Sequence, residues 1–155
     1  RLVAALETSG EPLGLGIGEN AGVEIDLEHK TARCITTAGA LLVDIRFEHR
    51  EGVTRRGMLA FPLEQGSKIR FATWSAPSPP RRPDRQPVEV PVVAAHESAP
   101  SWELFRRASR EGAWQLTLDG WRIIAWPAGS GWVAFDIEPT PSRHTNRTGQ
   151  PNRIP

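Results

Sequence analysis

Six prolines fall within the seventeen residues from Ser75 to Pro91, and no regular helix or central strand runs through such a block. Each proline removes a backbone donor and favours an extended chain, so residues 75–98 read as a Pro/Arg-rich linker. Arg81, Arg82 and Arg85 within it could meet an acidic partner, although a solvated linker is the plainer meaning of such a run. The chain therefore reads as residues 1–74 and 99–138, either as two units or as one domain with a long insertion. The polar, proline-containing tail 139–155 is expected to be disordered.

In the first unit, residues 2–8 have helix-forming composition and stop at Ser9-Gly10-Glu11-Pro12. Leu13 to Ile17 is an apolar run bounded by glycines, consistent with a buried strand. Val23, Ile25 and Leu27 then alternate with Glu24, Asp26 and Glu28, and residues 32–36 return as a hairpin partner that sets Arg33 across from the acidic face. Ala40 to Phe47 reads as a third strand, Glu48 to Arg56 as a charged loop, and Met58 to Leu63 and Lys68 to Thr73 as two more strands around Glu64-Gln65-Gly66.

The second unit begins with a helix from Trp102 to about Arg110, with Ser101 as its expected cap. Asp119-Gly120 between two alternating runs is the strongest hairpin signal in the chain. A two-residue turn there puts Trp114, Leu116, Leu118, Trp121 and Ile123 on one surface. Pro127 to Gly131 makes a second turn before a strand from Trp132 to Ile137. The expected fold is thus an α/β fragment dominated by β: a short N-terminal helix, mixed or antiparallel strands, then a small helix and a three-stranded β-meander.

Composition narrows the partners. The 19 basic and 18 acidic residues leave a net charge of +1, which argues against duplex nucleic acid or an anionic membrane surface. No transmembrane run or signal peptide is present. The single cysteine, Cys34, excludes an internal disulfide and reads as a small buried hydrophobe; the lack of disulfides leans slightly toward a cytoplasmic setting. The sequence begins at Arg1 inside a helical pattern, as expected of a piece of a longer protein.

Glu19 is the candidate for chemistry, because an apolar strand delivers a carboxylate at its end, where α/β proteins keep their sites. A dinucleotide fingerprint is excluded, since Gly14, Gly16 and Gly18 alternate and a strand pattern follows them. No Gly-x-Ser-x-Gly elbow occurs, and His29, His49, His96 and His144 stand apart in turns or loops without paired metal-ligand spacing. No metal or cofactor is expected. Asn146-Arg147-Thr148 matches a glycosylation acceptor. Five of the six tryptophans lie between residues 102 and 132. Trp126 and Trp132 fall outside the alternation of Trp114 and Trp121, so they are the expected exposed pair, with Arg122 beside them, for a glycan, peptide or protein partner. The competing reading of the tryptophans is a small core.

Arg1-Leu2, then Leu15-Gly16-Ile17-Gly18-Glu19-Asn20-Ala21, Ala40-Leu41-Leu42-Val43-Asp44 and Gly66-Ser67-Lys68-Ile69 occur in an order that resembles the C-terminal part of the cyanophycinase and dipeptidase E family of serine peptidases. Gly18 stands where that family has Asp, and Ala21 where it usually has Thr. The resemblance covers residues 1–72. It implies a glutamine-amidotransferase-like α/β fold and hydrolysis of Asp-linked peptides. It further implies that Glu19 orients a catalytic histidine, with nucleophile and base both outside this chain.

Overall fold

The computed structural model describes residues 1–70, 89–97 and 99–141. The tail from 142, with His144 and the glycosylation motif, and the arginines of the linker lie outside the described residues. The helices are α1 (Leu2–Ser9) and α2 (Pro100–Glu111). The strands are β1 (Leu13–Ile17), β2 (Val23–Asp26), β3 (Thr31–Cys34), β4 (Ala40–Asp44), β5 (His49–Glu51), β6 (Thr54–Leu63), β7 (Lys68–Arg70), β8 (Val92–Val93), β9 (Trp114–Leu118), β10 (Trp121–Gly129) and β11 (Trp132–Pro139).

One large sheet runs β1-β4-β6-β11-β10-β9-β8, with β5 also paired to β6, and a second sheet runs β2-β3-β7. Strands from both sides of the proline block share the large sheet, because β6 pairs β11 with Val133 opposite Ala60 and Phe135 opposite Met58. Of the two organisations open in the sequence, this is one sheet interrupted by an insertion. Among the described residues all pairings are antiparallel except β8 with β9. The fold is β-dominated, with the N-terminal helix, the small helix and the three C-terminal strands in the expected order.

Several boundaries differ from expectation for identifiable reasons. Val92–Val93, assigned to the linker, forms β8, held by Gln115 Nε2 donating to the Val90 carbonyl at 2.9 Å. The charged stretch Glu48 to Arg56 is not a loop. It contains β5 and the start of β6 around a Gly52 turn, its charges offset by ion pairs of Arg50 and Arg55 with Glu7. The α2 helix starts at Pro100, not at a Ser101 cap. Proline suits a first helical turn because its missing N–H has no partner there, and Ala99 precedes it in a left-handed conformation, φ 52°.

The hairpins follow the turn chemistry. Leu118 pairs with Trp121 across Asp119 and Gly120, both at positive φ (51° and 80°), the signature of a type I′ turn. Ser130 and Gly131 (53° and 80°) make the same kind of turn between Gly129 and Trp132, so β10 runs further than its proline suggests, through an irregularity after Pro127.

Alternation then sorts side chains to two faces. On one face Val43, Met58, Ala60, Leu116, Ala125, Val133 and Phe135 form a core under Val3 and Leu6 of α1 and Leu104, Phe105 and Ala108 of α2. Glycine lets α1 approach β1: a Cβ at Gly14 would lie 2.6 Å from Leu6 Cδ2. On the other face Leu59, Ile124, Trp126, Trp132 and Ala134 form a second cluster. Nearby, Cys34, Ala40 and Leu63 bury the small sheet against β1, β4 and β6.

Candidate functional site

The two helices share one face of the sheet but do not cover all of it. The α1 helix sits over the glycines of β1, whereas α2 packs mainly on β9 and β10. Their N-terminal ends border a cleft of about 840 Å³, within the range of small-molecule and peptide sites. Leu41, Val43, Ile123, Phe135 and Ile137 make its apolar floor, and Trp102 and Phe105 of α2 one wall. Gly16 to Asn20, at the carboxyl end of β1, line the opposite side with Arg1, and Thr37 to Ala40 complete the lip.

Trp102 is held from two directions. Its indole lies against Gly39 so closely that a Cβ on that residue would stand 2.7 Å from Cζ2. From the other side the Arg106 guanidinium sits 5.7 Å from the ring centroid. Arg106 is itself fixed by Glu103, which accepts from Arg106 Nε at 2.8 Å and from Arg107 Nε at 2.6 Å. Hydrogen bonding from Arg106, reinforced by Arg107 against the opposing effect of burial, lowers the Glu103 carboxyl to about 2. The Trp102 Nε1–H is buried and finds no acceptor among the described residues.

Glu19 stands on the lip of this cleft, exposed, in the turn that follows β1, and forms no ion pair with any described residue. β1 is a terminal strand of its sheet with intermediate burial, not the buried strand its composition suggests. The described residues lining the cleft include no histidine or cysteine.

The expected aromatic surface is corrected. Trp126 and Trp132 are only 5% and 8% exposed, because they belong to a packed cluster: Phe61 of the neighbouring β6 meets Trp132 edge-on at 5.5 Å between ring centroids, and Phe47 and Ala113 pack against the same group. Arg122 pairs with Glu138 on the neighbouring strand. None of the three lines the cleft with Glu19. The exposed tryptophan among the described residues is Trp121, at 40%. The sequence reading missed Trp102 as a cleft wall; its signal would have been the pairing of Gly39 with an aromatic some sixty residues away, which no local pattern records. No helix among the described residues is long and apolar enough to cross a membrane.

Comparison with protein-family models, curated proteins and solved structures gives no match.

Proposed function

We propose that this chain supplies one wall of a peptide-hydrolysing site, with substrate in the cleft and Glu19 as the acid that orients a histidine carried by another segment. The observation that carries the reading is the placement of Glu19: an exposed carboxylate, without an ion-pair partner among the described residues, at the carboxyl end of β1 and opening on the cleft. A carboxylate in that role accepts from the imidazole N–H, fixes its tautomer and stabilises the imidazolium formed when the base takes the nucleophile's proton. The order of motifs resembling the cyanophycinase and dipeptidase E family supports the assignment of serine-type chemistry. An Asp-linked substrate, which that resemblance implies, would have Arg1 as its cation on the lip. By itself the chain is expected to hydrolyse nothing. In a polypeptide that includes the nucleophile and base, Glu19→Gln should cut kcat by on the order of 10⁴-fold with little change in KM. Unchanged turnover would remove Glu19 from the chemistry.

A second reading is a binding module without chemistry, recognising a peptide or protein partner. The apolar floor, with charge confined to the lip, favours it. In that case Glu19→Gln leaves the function intact and obstruction of the floor abolishes it.

A further inference from the structure

We infer that α1 is a proton-dependent strap on the cleft: Glu7 and Glu48 share one proton that holds the helix down in weak acid, and its loss at higher pH loosens that wall. The helix is lightly attached. Of its residues Val3 and Leu6 are buried, and it sits on the glycines of β1, with Leu6 against Gly14 and Leu2 against Gly16. Leu2 and Val3 line the cleft, so a helix that lifts opens the cleft on that side. A two-turn helix with so few buried side chains opens at lower cost than the sheet beneath it.

Its last turn is fastened by charge. Glu7 takes both Arg50 of β5 and Arg55 of β6, which stand opposite each other in the hairpin. Glu48, in the turn before β5, belongs to the same cluster but lies further from the cations, 3.4 Å from Arg50 Nε and 3.9 Å from Arg55 Nη1. Its side chain is only 10% exposed, and that of Glu7 18%. Neighbouring charges are engaged elsewhere: Arg46 with Asp44, and Arg56 with Glu51 and Asp136, while His49 lies toward Gly57. Two carboxylates in one poorly hydrated cluster resist ionising together, and the one with the weaker hold on the cations keeps the proton. Burial, then the hydrogen bond and charge of Glu7, push the Glu48 carboxyl up, against Arg55 and Arg50. Burial raises Glu7 as well, but hydrogen bonds from Arg55 and Arg50 bring it down on balance. Neutral Glu48 then donates to ionised Glu7 and ties the β4–β5 turn to the helix.

When α1 lifts, Glu7 leaves, and Glu48 gains both water and the two guanidiniums. The closed form therefore holds the proton more tightly than the open one. A carboxyl raised in the closed state favours closure below its ordinary value, and that support is lost as pH climbs through the raised one.

The test is native-state hydrogen exchange read by NMR at pH 5 and pH 7.5, with intrinsic exchange rates divided out. Amides of Ala5 to Thr8 should be less protected than those of Leu59 and Ala60 in β6, and their protection should fall at least about threefold from pH 5 to pH 7.5. Glu48→Gln keeps a donor toward Glu7 but has no proton to lose, so its α1 protection should be the same at both pH values. Titration of the glutamate carboxyl carbons provides a second measurement, with Glu48 expected above 4.5 and Glu7 below it. Protection of α1 equal to that of β6 overturns the strap, because the helix then opens only with the whole sheet. Protection that ignores pH, a pH dependence that survives in Glu48→Gln, or a Glu48 carboxyl titrating at or below 4.5 overturns the shared proton. Should Glu48→Gln fail to fold, the carboxyl titration of the unaltered chain decides.

Discussion

Trp102 lies in the space a Cβ of Gly39 would occupy, so the first turn of α2 and the entry to β4 fit only with glycine at that position. Gly39 also has φ +71°, a left-handed conformation that costs a β-carbon on its own account. Gly10 has nearly the same φ, +73°, but nothing within 4 Å of its added Cβ. The pair separates backbone strain from lost packing. Gly10→Ala should cost about 1 kcal/mol and Gly39→Ala at least about 2 kcal/mol more, because the ring must move off the wall of the cleft. Urea denaturation of both variants measures the difference. Equal losses would mean that Trp102 shifts without cost.

The burial of Trp126 and Trp132 makes a contrasting forecast for the tryptophans. Replacing either by alanine should cost about 3–5 kcal/mol, the usual loss for a large aromatic removed from a core. Trp121→Ala should cost less than about 1 kcal/mol, since much of its ring already faces water. Thermal unfolding of the three variants ranks them. A mild Trp126→Ala would show that its face of the sheet is loosely packed.

Local chemistry was legible and long-range pairing was not. Asp119-Gly120 announced its turn and register because two positive-φ residues between alternating runs admit few other shapes. Glu24 opposite Arg33 followed from hairpin arithmetic in the same way. The exposure of Trp126 and Trp132 could not be read locally, because alternation tells which residues share a face and not whether that face is covered. Here Phe61, on the neighbouring β6 from the other side of the proline block, packs edge-on against Trp132, and Phe47 and Ala113 pack against the same cluster. The cleft was illegible for the same reason: its floor joins β4, β10 and β11, and its walls come from the two helices. Glu19 at a strand end could be read from the sequence; what that strand end opens onto could not.

Asp136 is 1% exposed and accepts from Arg56 Nη1 at 3.0 Å and from the Gly57 amide at 3.1 Å, tying β11 to β6 beside a register shift. Asp136→Ala leaves the Gly57 amide without that acceptor and Arg56 with Glu51 as its remaining ion-pair partner, at 2.8 Å, and should cost about 2–3 kcal/mol. Asp136→Asn keeps an oxygen for Gly57 and should cost less. Combining Asp136→Ala with Arg56→Met should cost less than the sum of the two single changes, since the bond between the two side chains can be lost only once. A double-mutant cycle in urea checks this, and strict additivity would mean the two side chains do not communicate.

Glu103 gives the fold a pH signature through the wall of the cleft. Its carboxyl is lowered from 4.5 to about 2, first by hydrogen bonding from Arg106 and also from Arg107. The side chain is only 14% exposed, and its place in the first turn of α2 adds a favourable helix dipole. A carboxyl depressed in the folded state stabilises above its unfolded value and loses that contribution as pH falls toward its folded value. Relative to Glu103→Gln, the unaltered chain should therefore be more stable by about 2 kcal/mol at pH 7, discounted from the full shift for residual solvent screening. The gap should narrow below about pH 4.5 and nearly close at pH 2. Because Arg106 also sits over Trp102, the same variant should broaden the Trp102 indole resonance at pH 7. Urea midpoints at pH 7, 4 and 2.5 provide the measurement. A gap that does not change with pH would place the value of Glu103 in packing, with its ion pairs contributing nothing.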